Sequence, residues 1–276
     1  MDGWESRRKR TQGHDWAIIQ LATPGKIMGF DIDTNFFLGN HPPHASVEAV
    51  YLTDASTITD WDSLAWQEIL PKSHLDAGSQ NFYACENSEL FTHIRLHIYP
   101  DGGVARLRVY GEVFKNWNVV ALDEEVDLAA AINGGKAIAC NDMFFSAMGN
   151  LIMPNRGENM GDGWETKRNR TPNNHDWVIF KLATAGSIHK IVLDTCHFKG
   201  NYPDTCSIEG ILSESDEAVL SDTSEWITIL PKQKLSADFI HEFEAEISGS
   251  GAFTHVRLNI FPDGGVSRLR LWGNKK

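Results

Sequence analysis

Short runs in which apolar and polar residues alternate dominate the chain, and no stretch has the spacing of a long amphipathic helix. The segments 16–21 and 177–182 both place every second side chain, all apolar, on one face of a strand. These faces consist of Ala17, Ile19 and Leu21 in the first segment and Val178, Phe180 and Leu182 in the second. Further strands are predicted at 27–33, 46–52, 188–194 and 207–212. Gly, Pro, Asn and Asp separate the runs, which predicts an all-β fold of the sandwich or jelly-roll type.

The predicted strands belong to a sequence that occurs twice. The tetrapeptide Asp-Gly-Trp-Glu at 2–5 returns about 160 residues later at 162–165, and the long block 91–111 returns at 253–273. Between them, Arg8, Arg10 and the tripeptide His14-Asp15-Trp16 return as Arg168, Arg170 and His175-Asp176-Trp177. Solenoid units run to about 50 residues at most, so the period indicates a tandem duplication of a whole domain with its own core.

The two copies are unequal in the given sequence. We predict a first repeat at 1–111, a linker at 112–125 and a second repeat at 126–276. Residues 126–161, about 35 in number, precede the Asp-Gly-Trp-Glu block of the second copy, whereas only Met1 precedes that of the first. We therefore expect the first repeat to be N-terminally incomplete, to lack an edge strand and a loop, and to expose apolar surface and unpaired backbone groups. The second repeat is expected to be the better folded.

The last two strands of each repeat flank Pro-Asp-Gly-Gly, a turn-forming sequence at 100–103 and 262–265, and we predict a hairpin there. The expected register pairs Ile98 with Ala105, Leu96 with Leu107 and Ile94 with Val109 on an apolar face. The opposite face then pairs His97 with Arg106, Arg95 with Arg108 and His93 with Tyr110, and in the second copy Asn259 with Arg268, Arg257 with Arg270 and His255 with Trp272.

Arginines that face each other across a strand pair need a carboxylate between them. One interpretation is an internal salt-bridge network, with Glu5 or Asp15 in the first copy and Glu165 or Asp176 in the second. The other is that a guanidinium stays free to bind an anionic ligand, for which its planar fork suits a carboxylate. Both alternatives remain open from the sequence.

Composition narrows the classes of function. The 276 residues carry a net charge of −12, which disfavours nucleic acid as a partner. Apolar runs are too short for a membrane span of about 20 residues, and the start of the chain lacks a signal-peptide core. The four cysteines occupy unmatched positions of the two copies, which favours a reducing compartment.

Several blocks taken together carry a family resemblance. They are the Asp-Gly-Trp-Glu-x-x-Arg-x-Arg block, the His-Asp-Trp that follows it, the Gly-Asn-Tyr-Pro turn at 200–203, and Phe-Thr-His-x-Arg-Leu with its Pro-Asp-Gly-Gly and Arg-Leu-Arg. In this order, and twice, they resemble the allantoicase family over nearly the whole chain. The resemblance implies tandem galactose-binding-like jelly rolls and a hydrolase of C–N bonds in linear amidines. The implied reaction of purine breakdown converts allantoate and water to ureidoglycolate and urea.

Allantoate is a small carboxylate with two ureido groups on one carbon, so its site needs cations and acid–base groups. The candidates for binding the substrate carboxylate are Arg257, Arg268 and Arg270, with Arg95, Arg106 and Arg108 in the first copy. The candidate catalytic groups are Asp162, Glu165, His175 and His255, with the equivalents Asp2, Glu5, His14 and His93. The two tryptophans of the Asp-Gly-Trp-Glu blocks are expected to pack in the core rather than to contact substrate.

No cofactor is firmly predicted. His93 and His97 share a strand face but lie about 13 Å apart at about 3.3 Å per residue, too far to hold one metal together, although the resemblance leaves a divalent cation open. The expected partner is the small-molecule substrate, without nucleic acid or membrane, and a homo-oligomer is left open. The cytoplasm is the expected compartment, with the peroxisome not excluded.

Two other functions compete with the hydrolase. One is a non-catalytic carbohydrate-binding module that uses loop aromatics such as Trp61, Trp66 or Trp117. The other is an inactive remnant whose first domain folds poorly.

Overall fold

The computed structural model describes residues 2–56, 58–221 and 225–276. Contacts divide the chain into two units, Met1–Lys115 and Asn116–Lys276. Strands dominate both. Among the described residues the helical elements are α1 (Asp216–Val219) and three 3-10 turns at Ala131–Asn133, Met148–Ile152 and Met160–Asp162. The prediction of two tandem all-β sandwiches is confirmed. None of the described helices is long and apolar enough to cross a membrane.

The first unit contains eight strands among its described residues. They are β1 (Trp4–Glu5), β2 (Asp15–Asp33), β3 (His44–Val50), β4 (Gln67–His74), β5 (Gln80–Ala84), β6 (Leu90–Tyr99), β7 (Gly103–Val104) and β8 (Arg106–Val113).

Strand β2 is long enough to serve both layers of the sandwich. Its first half pairs with β6, whose other edge carries β3 and then β4. The register with β6 shifts between Gln20 and Gly25, where the strand bends, and its second half pairs with β5 on one edge and β8 on the other. The core lies between the two layers, with Ile94, Leu96 and Ile98 of β6 packed among Phe30 and Ile32 of β2.

The second unit repeats this plan with two additional strands. Its strands are β9 (Val126–Asp127), β10 (Lys136–Cys140), β11 (Trp164–Glu165), β12 (Asp176–Asp194), β13 (Thr205–Ile211), β14 (Ile227–Lys234), β15 (Ile240–Phe243), β16 (Phe253–Phe261), β17 (Gly265–Val266) and β18 (Arg268–Lys275). Strand β12 takes the place of β2, with β16 on its first half and β15 and β18 on its second. Strands β9 and β10 add to β18 and β12, and the described residues of the first unit contain no counterpart of either.

The predicted hairpin register is wrong. The Cα partner of Arg108 is Asp31 on β2, and the neighbours of Arg95 are Ile18 on β2 and Glu48 on β3, so β6 and β8 are not hydrogen-bonded to each other. The same holds in the second unit, where Arg270 lies opposite Val192. The Pro-Asp-Gly-Gly segment instead carries the chain from one layer to the other, through β7 paired with β1 and β17 paired with β11.

This error has a physical origin. Alternating apolar residues on two successive strands satisfy an edge-to-edge hairpin and a face-to-face packing across a core equally well. Leu107 and Val109 do face the same core as Ile94, Leu96 and Ile98, but across it. The basic face that the hairpin would have assembled is therefore divided between the two layers.

Each unit encloses its own hydrophobic core. In the second, Trp164 is fully buried and its indole Nε1 donates to the carbonyl of Asp142, whereas its equivalent Trp4 packs at the edge of the first core. Trp164 serves packing as expected, whereas Trp4 also lines a surface pocket together with residues 6–11 and 14–16. All four cysteines are free thiols, and burial raises the pKa of Cys206 to about 12, so that this thiol is an inert part of the core.

Candidate active site

The guanidinium groups of Arg268 and Arg270 donate their hydrogen bonds to backbone carbonyls. The guanidinium of Arg268 donates to the carbonyls of Asn155 and Asp162, at 3.0 and 2.6 Å. Arg270 donates to the carbonyls of Met153 and Asn155, at 2.7 and 3.0 Å. Both side chains therefore fasten the 148–162 loop onto β18, which leaves them poorly placed to bind a substrate carboxylate.

Arg106 and Arg108 are the counterparts of these two residues in the first unit and pair with acids. Arg106 contacts the carboxylate and carbonyl of Asp2. Arg108 lies 2.7 Å from Asp31 and 3.3 Å from Asp33, and the hydrogen bonds that it donates to these two carboxylates, Asp33 foremost, raise its pKa.

Arg95 and Arg257 each lie on the outer face of the β3–β6 or β13–β16 pair, bound to a neighbouring glutamate. Arg95 donates two hydrogen bonds to Glu48, at 2.9 and 2.7 Å, and Arg257 makes the same pair with Glu209. A tryptophan ring covers each guanidinium, Trp66 at 4.7 Å and Trp226 at 4.6 Å. The internal salt-bridge interpretation therefore describes these arginines, but with partners on the adjacent strand rather than the four acids named from the sequence.

Those acids, with Asp162, organise the loops of the Asp-Gly-Trp-Glu blocks. Glu5 accepts a hydrogen bond from Asn40, and Glu165 accepts one from Asn201, the asparagine of the Gly-Asn-x-Pro turn. Asp15 pairs with Lys9 at 2.7 Å. The side chains of Asp176 and Asp162 accept hydrogen bonds from Asn141 and from the Glu158 amide, respectively.

Five other arginines have guanidinium groups without a partner. They are Arg7, Arg8 and Arg10 in the first unit and Arg168 and Arg170 in the second, all exposed, and none forms a hydrogen bond or ion pair with another described side chain or carbonyl. The three in the first unit line a pocket of about 780 Å³, and the two in the second line one of about 790 Å³. A planar guanidinium with free donors is the group best suited to a carboxylate.

The two pockets are built from equivalent positions. Ser6 in the first and Thr166 in the second occupy the same place in the repeat, as do Lys9 and Asn169, between the paired arginines. The second pocket is completed by Glu165, Asn201 and the Pro-Asp-Gly turn, and the first by the His14-Asp15-Trp16 tripeptide. Each pocket therefore combines unpaired cations with polar groups that can bind ureido nitrogens and oxygens.

In the first unit a chain of hydrogen-bonded groups reaches this pocket. Glu48 lies 2.8 Å from His97 Nε2, and His97 Nδ1 lies 2.8 Å from His14 Nε2. Burial alone would raise the pKa of Glu48, but the hydrogen bonds from His97 and Arg95 outweigh it and hold that pKa below its usual value. Burial, followed by the charges of His97 and Lys9, lowers the pKa of His14 below 6.5.

The protonation states of Glu48 and His14 determine which group donates in each of these hydrogen bonds. An ionised Glu48 can only accept, so His97 donates from Nε2 and, when neutral, accepts at Nδ1. His14 is then the donor at Nε2, and its Nδ1 keeps a free lone pair. The arrangement makes His14 a neutral base at the edge of a pocket lined by Arg7, Arg8 and Arg10.

The second unit has a glutamate equivalent to Glu48, which is Glu209, but it lacks the two hydrogen-bonded histidines. Asn259 stands where the first unit has His97 and donates to Glu209 at 2.9 Å, and His175 stacks on Phe261 at 5.5 Å. His255 is buried elsewhere on the sheet, 3.1 Å from Asp216, and burial lowers its pKa although Asp216 opposes the shift. Its first-unit equivalent, His93, packs 5.5 Å from Trp61.

The structure therefore brings together Glu165 with Arg168 and Arg170, and His14 with Arg8 and Arg10. It does not bring His255, Arg257, Arg268 and Arg270 into one pocket. Sequence reasoning missed Glu48 and Glu209, although both close a Ser-x-Glu sequence that recurs at equivalent positions of the two copies. Arg8, Arg10, Arg168 and Arg170 did leave a signal, because the basic stretch 7–10 keeps arginine in the second copy only at its second and fourth positions.

Within 2–56, 58–221 and 225–276, no group of three or more His, Cys, Asp or Glu side chains is arranged to hold a metal ion.

Comparison with known proteins gives a consistent result. The family model "Allantoicase repeat" matches residues 1–114 and 126–276. A "Probable allantoicase" of Photobacterium profundum is 54% identical over 277 residues, covering 100% of this chain and 83% of that protein. A "Probable allantoicase" of Pseudomonas fluorescens is 54% identical over 278 residues, with the same coverage. The crystal structure of allantoicase from Saccharomyces cerevisiae superimposes with a TM-score of 0.82 at 39% identity, covering 99% of this chain and 81% of that one.

Proposed function

The chain belongs to the allantoicase family, and on this premise we propose that it hydrolyses allantoate to ureidoglycolate and urea. The observation that supports this most directly is the pair of unpartnered arginines lining an equivalent pocket in each unit. The substrate is a small carboxylate with ureido groups, and these pockets offer free guanidinium forks beside amide, hydroxyl and carboxylate groups.

In the first unit, Arg8 and Arg10 bind the carboxylate of allantoate and hold its central carbon near His14. The Nδ1 atom of neutral His14 takes a proton from water as the water oxygen bonds to this carbon and the C–N bond to one ureido group breaks. His14 then gives the proton to the departing nitrogen, which releases urea. Glu48, acting through His97, stabilises the imidazolium that exists between the two proton transfers.

In the second unit, Arg168 and Arg170 offer the same carboxylate site. Glu165, oriented by Asn201, remains the candidate acid–base group there, whereas His175 stacks on Phe261 and is not part of the pocket lining. Because Asn259 has replaced the second histidine, we expect the first pocket to contribute more to turnover.

The carbohydrate-module alternative is not favoured. Trp66 covers Arg95, and its indole Nε1 donates to the carbonyl of Trp61 at 2.8 Å.

Urea release from allantoate by the purified chain tests the activity itself. Replacing Arg8 and Arg10 together by Ala is expected to raise KM by about tenfold or more, because charge-assisted bonds to the carboxylate are lost. The double variant with Arg168→Ala and Arg170→Ala measures how much the second pocket contributes to substrate binding.

Lys167→Ala is the matched control, because Lys167 lies in the same loop but pairs with Asp142 at 3.7 Å outside the pocket lining. Full activity in both double variants would overturn the placement of the carboxylate while leaving the reaction intact. Absence of urea release from the unaltered chain would overturn the proposed function.

A further inference from the structure

The first unit contains an apolar slot beside the outer edge of β8. It has a volume of about 190 Å³ and is lined by residues 21–27 of β2 and 109–113 of β8, including Leu21, Pro24 and Val109. Next to it, Tyr110 is 47% and Val113 37% exposed, although both belong to a sheet. Such an apolar strand edge is normally covered in a folded protein.

The equivalent surface of the second unit is covered by a segment of the chain itself. Val126 and Asp127 pair with Gly273 and Trp272 on the outer edge of β18. The side chain of Leu128 is fully buried against Gly186 and Gly273.

The backbone of this segment is anchored on both sides. The Leu128 amide donates to the carbonyl of Leu271, and its carbonyl accepts from the Ala183 amide, both at 2.8 Å. Gly25, Ala22 and Val109 occupy the positions of Gly186, Ala183 and Leu271 in the first unit. The slot beside β8 is therefore the position that Leu128 fills in the second unit.

The backbone at the slot has the same orientation in the two units. Val109 pairs with Phe30 as Leu271 pairs with Ile191, so the amide and carbonyl of Val109 face away from β2, as those of Leu271 face away from β12. Among the described residues, β8 has no strand neighbour other than β2. Its outer edge can accept one more antiparallel strand.

The aspartate of this segment has one matching partner. In the second unit, Asp127 accepts a hydrogen bond from the Leu271 amide at 3.0 Å and lies 3.7 Å from Arg270. In the first unit, Val109 holds the place of Leu271, whereas Arg108, in the place of Arg270, is already bonded to Asp31 and Asp33. An aspartate entering beside β8 would therefore meet the Val109 amide.

We propose that the β8 slot binds an extended peptide of the pattern Val-Asp-Leu-Ala-Ala, which is the sequence of residues 126–130 of this chain. The peptide adds as an antiparallel strand to β8, places its leucine in the apolar slot and its aspartate at the Val109 amide. The template in the second unit favours this occupant over a second copy of β8, whose exposed face carries Tyr110 and Glu112 rather than a leucine. The proposal does not depend on the proposed catalytic activity.

The probe is a fluorescently labelled synthetic peptide of residues 126–139, titrated with the full chain and followed by anisotropy. We expect saturable binding that weakens about tenfold or more when Leu128 in the peptide is replaced by Arg, because the buried leucine supplies most of the apolar contact. Ala22→Arg in the chain fills the slot from an exposed position and is expected to weaken binding to the same degree.

A circular dichroism melt of the Ala22→Arg chain checks that it remains folded, and the peptide variant provides a test that needs no change in the protein. Equal binding of both peptides, or undiminished binding by the Ala22→Arg chain, would overturn the proposal, since the peptide would then adhere elsewhere. Self-association of the chain that disappears in the Ala22→Arg variant, without peptide binding, would assign the edge to a second copy instead.

Discussion

Arg8 and Arg168 are surface residues whose charge no described neighbour neutralises, unlike Arg95, which is paired with Glu48 and Asp62, and Arg257, which is paired with Glu209. An arginine already bonded to a carboxylate or to several carbonyls cannot bind a second anion without breaking those bonds. The distinction between bound and free guanidinium groups, rather than the position of an arginine on a strand face, therefore locates the candidate carboxylate site.

His14 and His97 are expected to affect turnover more than substrate binding. We expect His14→Asn to lower kcat by about 10²-fold to 10⁴-fold, the usual contribution of a general base. His97→Asn, which copies the natural Asn259, is expected to lower kcat less, because it removes only the group that stabilises charged His14.

Steady-state urea release between pH 5 and 8 gives the measurement. In the unaltered chain, kcat/KM should fall as the pH drops through the lowered pKa of His14, below 6.5, because the base becomes protonated. An unchanged pH profile in the His97→Asn variant would remove His97 from the mechanism.

The two tryptophans of the repeated tetrapeptide provide a matched test of packing. Trp164→Ala is expected to cost about 3–5 kcal/mol of unfolding free energy, the range for a fully buried aromatic residue. Trp4→Ala should cost clearly less, because Trp4 is only partly buried. Denaturant unfolding of both variants decides this, and equal losses would contradict the difference in burial.

At the scale of single elements, β17 holds the second pocket in shape. A Cβ atom at Gly265 would lie 1.9 Å from the ring of Phe198, and β17 pairs with β11, which carries Glu165. Gly265→Ala is therefore expected to cost about 1–3 kcal/mol through overpacking and to disturb the arginine loop that follows β11.

Gly200→Ala is the control for this element, because no atom lies within 4 Å of the added Cβ although Gly200 lines the same pocket. Thermal melts compare the two variants. A Gly265→Ala chain as stable as the Gly200→Ala chain would show that Phe198 can move aside.

The elements also mark the limit of what the sequence predicts. Strand positions and the duplication follow from apolar periodicity and repeated motifs, since side-chain alternation has a period of two wherever a sheet buries one face. The layer to which a strand belongs does not follow from periodicity. For that reason Arg95 and Arg108 were predicted to face each other. The partners of Arg95 could not be predicted either, because Glu48 becomes its neighbour only through sheet pairing between segments far apart in the chain.

At the scale of the whole molecule, buried histidines predict how stability depends on pH. Burial lowers the pKa of His14 and His93 in the first unit and of His241 and His255 in the second, all from 6.5. The unfolded chain then binds more protons than the folded one as the pH falls. The unfolding free energy should be highest above pH 6.5 and decline as the pH drops through the lowered values.

Urea unfolding at a series of pH values between 5 and 8 measures this decline. His255→Asn, which removes the titrating group from a nearly inaccessible position, should reduce the slope. A slope unchanged by this substitution, or stability that increases toward pH 5, would contradict the assignment.

The 19-residue strands β2 and β12 each belong to both layers of their sandwich. Neither layer can separate from the other without breaking the hydrogen bonds of the strand that they share. Local opening that would release one sheet and leave the other intact is thus costly, and each unit should lose its structure in a single cooperative step. The amide protons of these two strands should consequently be among the last to exchange with solvent.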